Sequence, residues 1–204
     1  AGARDTDAVV RKNTMRIAAE RDNTAEEPPS ELVRAMLADP DQRVRISALI
    51  AGMTVTPTIQ FAEAVAEAWP TFKNPYLETA ALAVAAKDPV LFLNAALETG
   101  EPASMSGMIS QIARQIANQN NPDSARALVI ALAGKPASAD ALKAAALQAL
   151  TINLKPEVKP AADAELGGAL KQLLASEQTA GAVLPLIARW DFAGQVGDAA
   201  KAAV

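Results

Sequence analysis

Apolar residues recur along this chain at the spacing of an α-helix. In one stretch, four of them occupy positions i, i+3, i+4 and i+7, namely Ile46, Leu49, Ile50 and Met53. That spacing places them on one face of a helix. A second apolar stripe runs beside the first and consists of Val44, Ala48 and Ala51. A helix with two apolar sides is typical of one that packs between neighbours.

Helical spacing continues through most of the chain, and the alternation of apolar and polar residues that indicates strands is absent. Alanine, the strongest helix former, is abundant throughout. The pattern predicts an all-α protein with helices near residues 7–21, 29–38, 40–54, 57–69, 75–86, 89–99, 104–119, 122–133, 139–153, 161–176 and 179–190, and a short last helix to about 203.

Polar residues followed by proline mark many of the predicted helix starts. Asp39 precedes Pro40, and Gln42 lies three residues after Asp39, as in a capping box. We therefore expect a helix to begin at Pro40 with Asp39 as its N-cap. Comparable starts follow at intervals of 14 to 18 residues, at Thr56, Asn74, Asp88, Ser104, Asn121 and Ser138. Two helices then make a unit of about 34 residues, which is typical of helix-pair repeats.

These units predict a right-handed α-solenoid of about five helix pairs, in which neighbouring pairs bury the core between them. We expect a single domain over residues 1–204, with a weak break near 154–163, where the chain is polar. The sequence begins with AGARDTDAVV, which has neither an initiator methionine nor a signal peptide. We therefore expect the chain to be a piece of a larger protein.

Composition narrows the chemistry that this chain can perform. It contains no cysteine and no histidine, which excludes thiolate and imidazole nucleophiles and ligands, and covalent attachment of c-type haem, within the chain. Its 19 basic and 23 acidic residues are scattered, and aromatic residues make up only 3%. We therefore expect no nucleic-acid binding. No apolar run approaches 18 residues, so we also expect no membrane span.

The sequence Asp39-Pro40 followed by Val44-Arg45 resembles a HEAT repeat. In that family, Asp-Pro opens the second helix of a unit, and the later arginine contacts the aspartate or an acceptor in a neighbouring repeat. The resemblance implies these roles for Asp39 and Arg45, with Val44 buried between them. The starts at Asn74 and Asp88 keep the cap and the proline and lack the arginine.

Four further blocks, at residues 74–89, 109–134, 141–154 and 183–191, are together similar to the helical central region of large bacterial quinoprotein dehydrogenase–cytochrome c fusion proteins of the planctomycete type. The resemblance implies an extracytoplasmic parent protein, with a β-propeller dehydrogenase domain before this region and a cytochrome domain after it. Those two domains would be the partners of this chain. Haem c and a quinone cofactor would belong to the parent, and none to this chain.

Two groups of residues are candidates for an interaction surface. Arg43 and Arg45, at the start of a predicted helix, either bind an anionic partner or make one structural contact with Asp39 and leave the other arginine solvated. Three aromatic residues lie close together in a chain that has few, namely Trp69, Phe72 and Tyr76. They are either a binding hot spot or a small core beneath a loop. Trp190 follows an apolar helical stretch, and we expect it to pack in the core.

Acidic residues supply the remaining candidates. Glu26, Glu27 and Glu31 either bind Ca²⁺ or favour a helix N-terminus through its dipole, and the spacing of a twelve-residue calcium loop is absent. Glu63 and Glu67, at i and i+4, are either a paired acid–base site or part of a solvent face.

The sequence favours a non-catalytic scaffold or interdomain spacer over two alternatives. One alternative is a free-standing module that binds a protein or peptide on its surface. The other is an enzyme that uses carboxylates alone, as many glycosidases do. Absence of cysteine fits an oxidising compartment without requiring it, so the compartment stays open, with an extracytoplasmic location favoured.

Overall fold

The structure, a computed structural model, describes residues 2–20, 30–98 and 102–202. Within these ranges every regular element is helical, so the expected all-α class is confirmed. Three short 3₁₀ turns lie at Gly2–Arg4, Trp69–Thr71 and Ala137–Ala139. The α-helices are α1 (Ala8–Glu20), α2 (Ser30–Met36), α3 (Gln42–Gly52), α4 (Ile59–Ala68), α5 (Pro75–Ala85), α6 (Pro89–Glu98), α7 (Pro102–Asn118), α8 (Pro122–Ala133), α9 (Asp140–Asn153), α10 (Ala164–Leu174), α11 (Glu177–Arg189) and α12 (Ala193–Ala202).

The chain divides into two compact units, Ala1–Gly100 and Glu101–Val204. The polar stretch 154–163, where the sequence indicates a weak break, lies inside the second unit. Each unit contains six of the described α-helices.

Helices in the first unit pack against the helix two places along the chain. In one layer α1 contacts α3, and α3 contacts α5. In the other layer α2 contacts α4, and α4 contacts α6. Contacts between α2 and α3 and between α5 and α6 join the two layers.

The second unit repeats this order of contacts. Here α9 lies against both α7 and α11, and α10 lies against both α8 and α12. Sequential neighbours, such as α7 with α8 and α10 with α11, connect the layers.

Several of the helix starts predicted from capping residues are confirmed. Asn74 accepts a hydrogen bond from the backbone N–H of Tyr76 at 2.9 Å, and Asn121 accepts one from Asp123 at 2.8 Å. Both are therefore confirmed as N-caps. Asp88 likewise accepts a bond from the N–H of Leu91 at 3.1 Å, at the start of α6.

The predicted start of α3 is wrong by two residues. The helix begins at Gln42, and its N-cap is Asp41, whose carboxylate accepts from the N–H of Arg43 at 2.8 Å. Asp39 instead accepts from the N–H of Asp41 at 2.9 Å and turns towards α1. Asp-Pro-Asp offers two capping carboxylates, and the first is used in a tertiary contact.

Three other proposed caps are also wrong. Thr58, and not Thr56, caps α4 by accepting from the N–H of Phe61 at 3.2 Å. Ser104 lies inside α7, which begins at Pro102. Ser138 lies in a 3₁₀ turn ahead of α9. A proline begins α7 ahead of Ser104, and a 3₁₀ turn separates Ser138 from the start of α9.

The two apolar stripes of α3 are buried to different extents. Val44, Ala48 and Ala51 are fully buried. The stripe that the spacing singles out is less buried, because Ile50 is 50% exposed and Met53 is 39% exposed. The packing of α3 therefore uses mostly its small residues, which allow helices to approach closely.

At the end of α3, Gly52 lies close to an aromatic pair in the core of the first unit. A Cβ atom on Gly52 would lie 2.5 Å from the ring of Phe61, so any side chain there would force the ring to shift. Phe61 in turn meets Phe92 edge to face, with ring centroids 6.0 Å apart. Both rings are buried.

Side chains also connect helices of the same layer at their carboxyl ends. Lys87 Nζ donates to the carbonyls of Met53 and Val55, at 2.7 and 2.6 Å, just after α3. Arg189 Nη1 donates to the carbonyls of Thr151 and Leu154, at 2.9 and 3.0 Å, where α9 ends. A cation at this position satisfies terminal carbonyls and opposes the negative end of the helix dipole.

We expect Arg189→Met to lower the free energy of unfolding by about 2 kcal/mol, because two partly buried carbonyls lose a charged donor. Urea denaturation of the full chain measures this loss. Lys171→Met, which removes an exposed lysine on α10, is the matched control and should change stability by less than about 0.5 kcal/mol. Equal losses in both variants would show that the carbonyl bonds contribute nothing.

Candidate functional site

A groove of about 780 Å³ lies between α2 and α4 in the first unit. We call it the α2–α4 groove. Five of its charged lining residues come from α2, α4 and the first turn of α3, namely Glu31, Arg34, Arg45, Glu63 and Glu67. Asp39 and Pro40 line it as well, so most of the Asp-Pro-Val-Arg motif lies at this groove.

One face of α4 forms a wall of the groove. Its residues follow helical spacing and are Gln60, Glu63, Ala64, Glu67 and Ala68. The opposite face of α4 carries Phe61 and Val65, which are buried in the core. The amphipathic pattern of α4 therefore places Glu63 and Glu67 one turn apart on the groove side.

Asp39 is held by an arginine that lies 28 residues earlier in the chain. Arg11 donates from Nε to Oδ2 at 2.7 Å and from Nη2 to Oδ1 at 2.9 Å. The side chains of Arg11 and Asp39 are only 13% and 4% exposed. Hydrogen bonds from Arg11 lower the pKa of Asp39 below its ordinary value, although burial opposes this. The pair ties α1 to the turn before α3.

Arg45 donates to Thr71, and the ion-pair partner of Asp39 is Arg11. The Nη1 atom of Arg45 donates to Thr71 Oγ1 at 3.0 Å, and its guanidinium lies 6.0 Å from the centroid of the Phe72 ring. Its Nε is buried and has no hydrogen-bond partner in the described part of the chain. The acceptor of Arg45 is therefore 26 residues further on. Val44, between the two motif residues, is fully buried.

Arg43 is exposed and pairs with the cap residue of its own helix. It donates to Asp41 from Nε at 3.1 Å and from Nη2 at 2.7 Å. These side-chain bonds, with the backbone bond from Arg43, lower the pKa of Asp41 to about 2. Asp41 therefore occupies the guanidinium that an anionic partner would need, which favours the structural interpretation of Arg43.

The three clustered aromatic residues separate into a core pair and a surface residue. Trp69 and Phe72 are buried, with ring centroids 6.2 Å apart in an edge-to-face arrangement. Tyr76 is 75% exposed. Trp190 is buried in the second unit and donates from Nε1 to the carbonyl of Val158 at 3.1 Å. Only Tyr76 is available to a partner as an aromatic anchor.

Of the acidic candidates Glu26, Glu27 and Glu31, the structure describes Glu31 alone. Glu26 and Glu27 lie outside the described residues. Glu31 lies in the first turn of α2 and lines the groove. Across residues 2–20, 30–98 and 102–202, no group of three or more histidine, cysteine or acidic residues is arranged to hold a metal ion.

A second, smaller groove of about 380 Å³ lies between α7 and α9 in the second unit. Uncharged polar residues, among them Ser106, Ser110 and Gln148, form much of its lining. Ile152 at its edge is 80% exposed. Arg114 is the one charged residue among those described in its lining.

Within the described ranges, no single helix is both long and apolar enough to cross a bilayer. The bent pair of α5 and α6 meets the criteria of length and composition only when the two helices are taken together.

Comparison with protein-family models, curated proteins and solved structures finds no match to this chain. The functional assignment therefore depends on the contacts and charges described above.

We expect Arg11→Met to lower the free energy of unfolding by about 3 kcal/mol at neutral pH, because it leaves the buried Asp39 carboxylate without its charged partner. Arg45→Met is the matched comparison and should cost about 1 kcal/mol, because it removes one exposed hydrogen bond and a ring contact. Urea denaturation measures both. A larger cost for Arg45→Met would favour an Asp39–Arg45 contact instead.

The effect of Arg11→Met should also depend on pH. The folded-state pKa of Asp39 is lowered, so the stabilisation by this pair is fully present above the unfolded pKa of about 4 and is lost as pH falls through the folded value. The difference between wild type and Arg11→Met should therefore shrink below about pH 4. A constant difference down to the folded pKa would contradict the assignment of this pair.

We expect Asp41 to titrate near pH 2 in the folded chain, because Arg43 donates to its carboxylate. Side-chain NMR titration measures this value. Arg43→Gln should raise the pKa of Asp41 and leave that of Asp163 unchanged, since Asp163 caps α10 in the other unit. An unchanged pKa of Asp41 in this variant would indicate that Arg43 is free for another partner.

Proposed function

We propose that this chain is a non-catalytic scaffold built as a right-handed α-solenoid, and that it works by presenting its surfaces to protein partners. The observation that carries the proposal is the pattern of helix–helix packing within each unit. Each helix packs against the helix two places along the chain, which is how neighbouring helix pairs stack in repeat proteins.

Side-chain bonds support the same repeat length. Bonds from Lys87, Arg189 and Trp190 reach carbonyls that lie 32 to 38 residues earlier. The sequence predicts a unit of about 34 residues from its helix starts. The reach of these three side chains is close to that unit length and supports the proposed repeat.

The chemistry of the α2–α4 groove favours binding over catalysis. Glu63 and Glu67 lie side by side on one wall, whereas a glycosidase places its two carboxyl groups on either side of the bond that is cleaved. No aromatic residue is among the described residues that line the groove, so it lacks a platform for a sugar ring. A carboxylate-only enzyme is the weaker alternative for these reasons.

A narrower form of the proposal comes from the resemblance of four blocks to dehydrogenase–cytochrome fusion proteins. In that form the scaffold is an interdomain spacer in an extracytoplasmic redox protein. It would set the distance between a quinone-bearing propeller and a haem-bearing cytochrome domain, and the cofactors would belong to those domains.

The intact mass and absorption spectrum of the native protein, purified from its source, test these forms. A mass well above 21.1 kDa together with haem bands is expected for the spacer. A mass equal to that of the chain, without visible bands, is expected for a free-standing scaffold. A cofactor or metal that stays bound to the isolated chain through purification would contradict the non-catalytic scaffold itself.

A further inference from the structure

We propose that the α2–α4 groove binds a basic, extended segment of a partner protein, with lysine or arginine side chains paired to Glu63 and Glu67. This inference rests on the proposed scaffold function, since it assigns a partner chemistry to one surface of that scaffold. A cationic peptide is the proposed ligand because some carboxylates in the groove have no ion-pair partner among the described residues.

The carboxylates of the groove differ in how far they are neutralised. Asp39 is paired at short distance with Arg11 and is buried. Glu31, Glu63 and Glu67 have no ion-pair partner among the described residues. Within the described part of the chain, these three carboxylates are therefore the ones that a ligand can pair with.

The positive charges of the groove do not balance these three. Arg45 donates to the neutral hydroxyl of Thr71 and lies against the Phe72 ring, so it keeps its positive charge. Arg34, on α2, is exposed and is the remaining cation of the lining. With Arg34 and Arg45 set against these three carboxylates, the lining keeps a small excess of negative charge, which favours a basic segment over an acidic one.

The geometry of α4 suits an extended segment. Glu63 and Glu67 are four residues apart on a helix, which corresponds to a rise of about 6 Å. Side chains on the same side of an extended peptide recur every two residues, which corresponds to about 6.7 Å. A peptide with cationic residues at alternate positions therefore places successive charges opposite the two carboxylates.

Small residues leave room for the backbone of such a peptide. Ala64 and Ala68 lie beside the two glutamates on α4, and Ala35 and Ala38 line the groove on the side of α2. Large apolar side chains, which an apolar helix would need, are scarce on this surface, where the buried Leu37 is the only one among the lining residues described. Charge is therefore the main recognition feature.

Fluorescence anisotropy of a labelled peptide of about ten residues, alternating lysine and alanine, tests the proposal with the full chain. Wild type should bind this peptide and should not bind the matched peptide that alternates glutamate and alanine. Binding should weaken as salt is added, because the paired charges are near the surface. Glu63→Gln with Glu67→Gln should weaken binding about fivefold or more.

Glu157→Gln with Glu177→Gln is the matched control, because it removes two exposed carboxylates from the second unit and changes the net charge equally. It should change binding by less than about twofold. Arg34→Gln should strengthen binding about twofold, because it removes the exposed cation of the groove. Circular dichroism and urea denaturation establish that each variant is folded.

Equal weakening by the two double variants would overturn the proposal, because attraction to the net negative chain would then explain the binding. Failure of wild type to bind the lysine peptide would overturn it as well. Neither result affects the scaffold proposal, which depends on the mass and spectrum of the native protein. Conversely, a cofactor bound to the isolated chain would contradict the scaffold and leave a peptide-binding groove in place.

Discussion

Helix α3 lies between α1 and α5, and the arrangement of the first unit depends on how these three helices meet. A helix with neighbours on two sides must bury more than one stripe of apolar residues. On α3 the buried positions include Ala48 and Ala51, whose small side chains let the neighbouring helices come close. Gly52 extends this close approach to Phe61 of α4, whose ring in turn meets Phe92 of α6.

The charged groups around α3 are arranged by the same packing. When α1 lies against α3, Arg11 reaches the turn before α3 and takes Asp39 as its partner. The Asp39 charge is thereby compensated within the protein. Charges that face the α2–α4 groove are then those of α2, α4 and Arg45, and the proposed peptide binding uses Glu63 and Glu67 among them.

What the sequence could predict follows from the range of each interaction. Asn74 and Asn121 cap their helices through bonds to residues two or three positions away, so local sequence is sufficient to identify them. The Arg11–Asp39 pair joins residues 28 positions apart, so no local sequence pattern predicts it. Helical spacing places Glu63 and Glu67 on one polar face, yet only the position of α2 turns that face into a groove. Burial of Trp69 and Phe72, with Tyr76 left exposed, likewise depends on packing between helices and not on composition.

Bonds from Lys87 and Arg189 to the ends of α3 and α9 restrict how this chain can change length during evolution. One residue inserted within α5 would rotate everything after it by about 100° and advance it by about 1.5 Å, so Lys87 would point away from the carbonyls of Met53 and Val55. One residue inserted in the connection before α5 could be absorbed by the loop and would leave the lysine in place. These bonds therefore constrain the lengths of α5 and α11, while the connections before them are freer to vary.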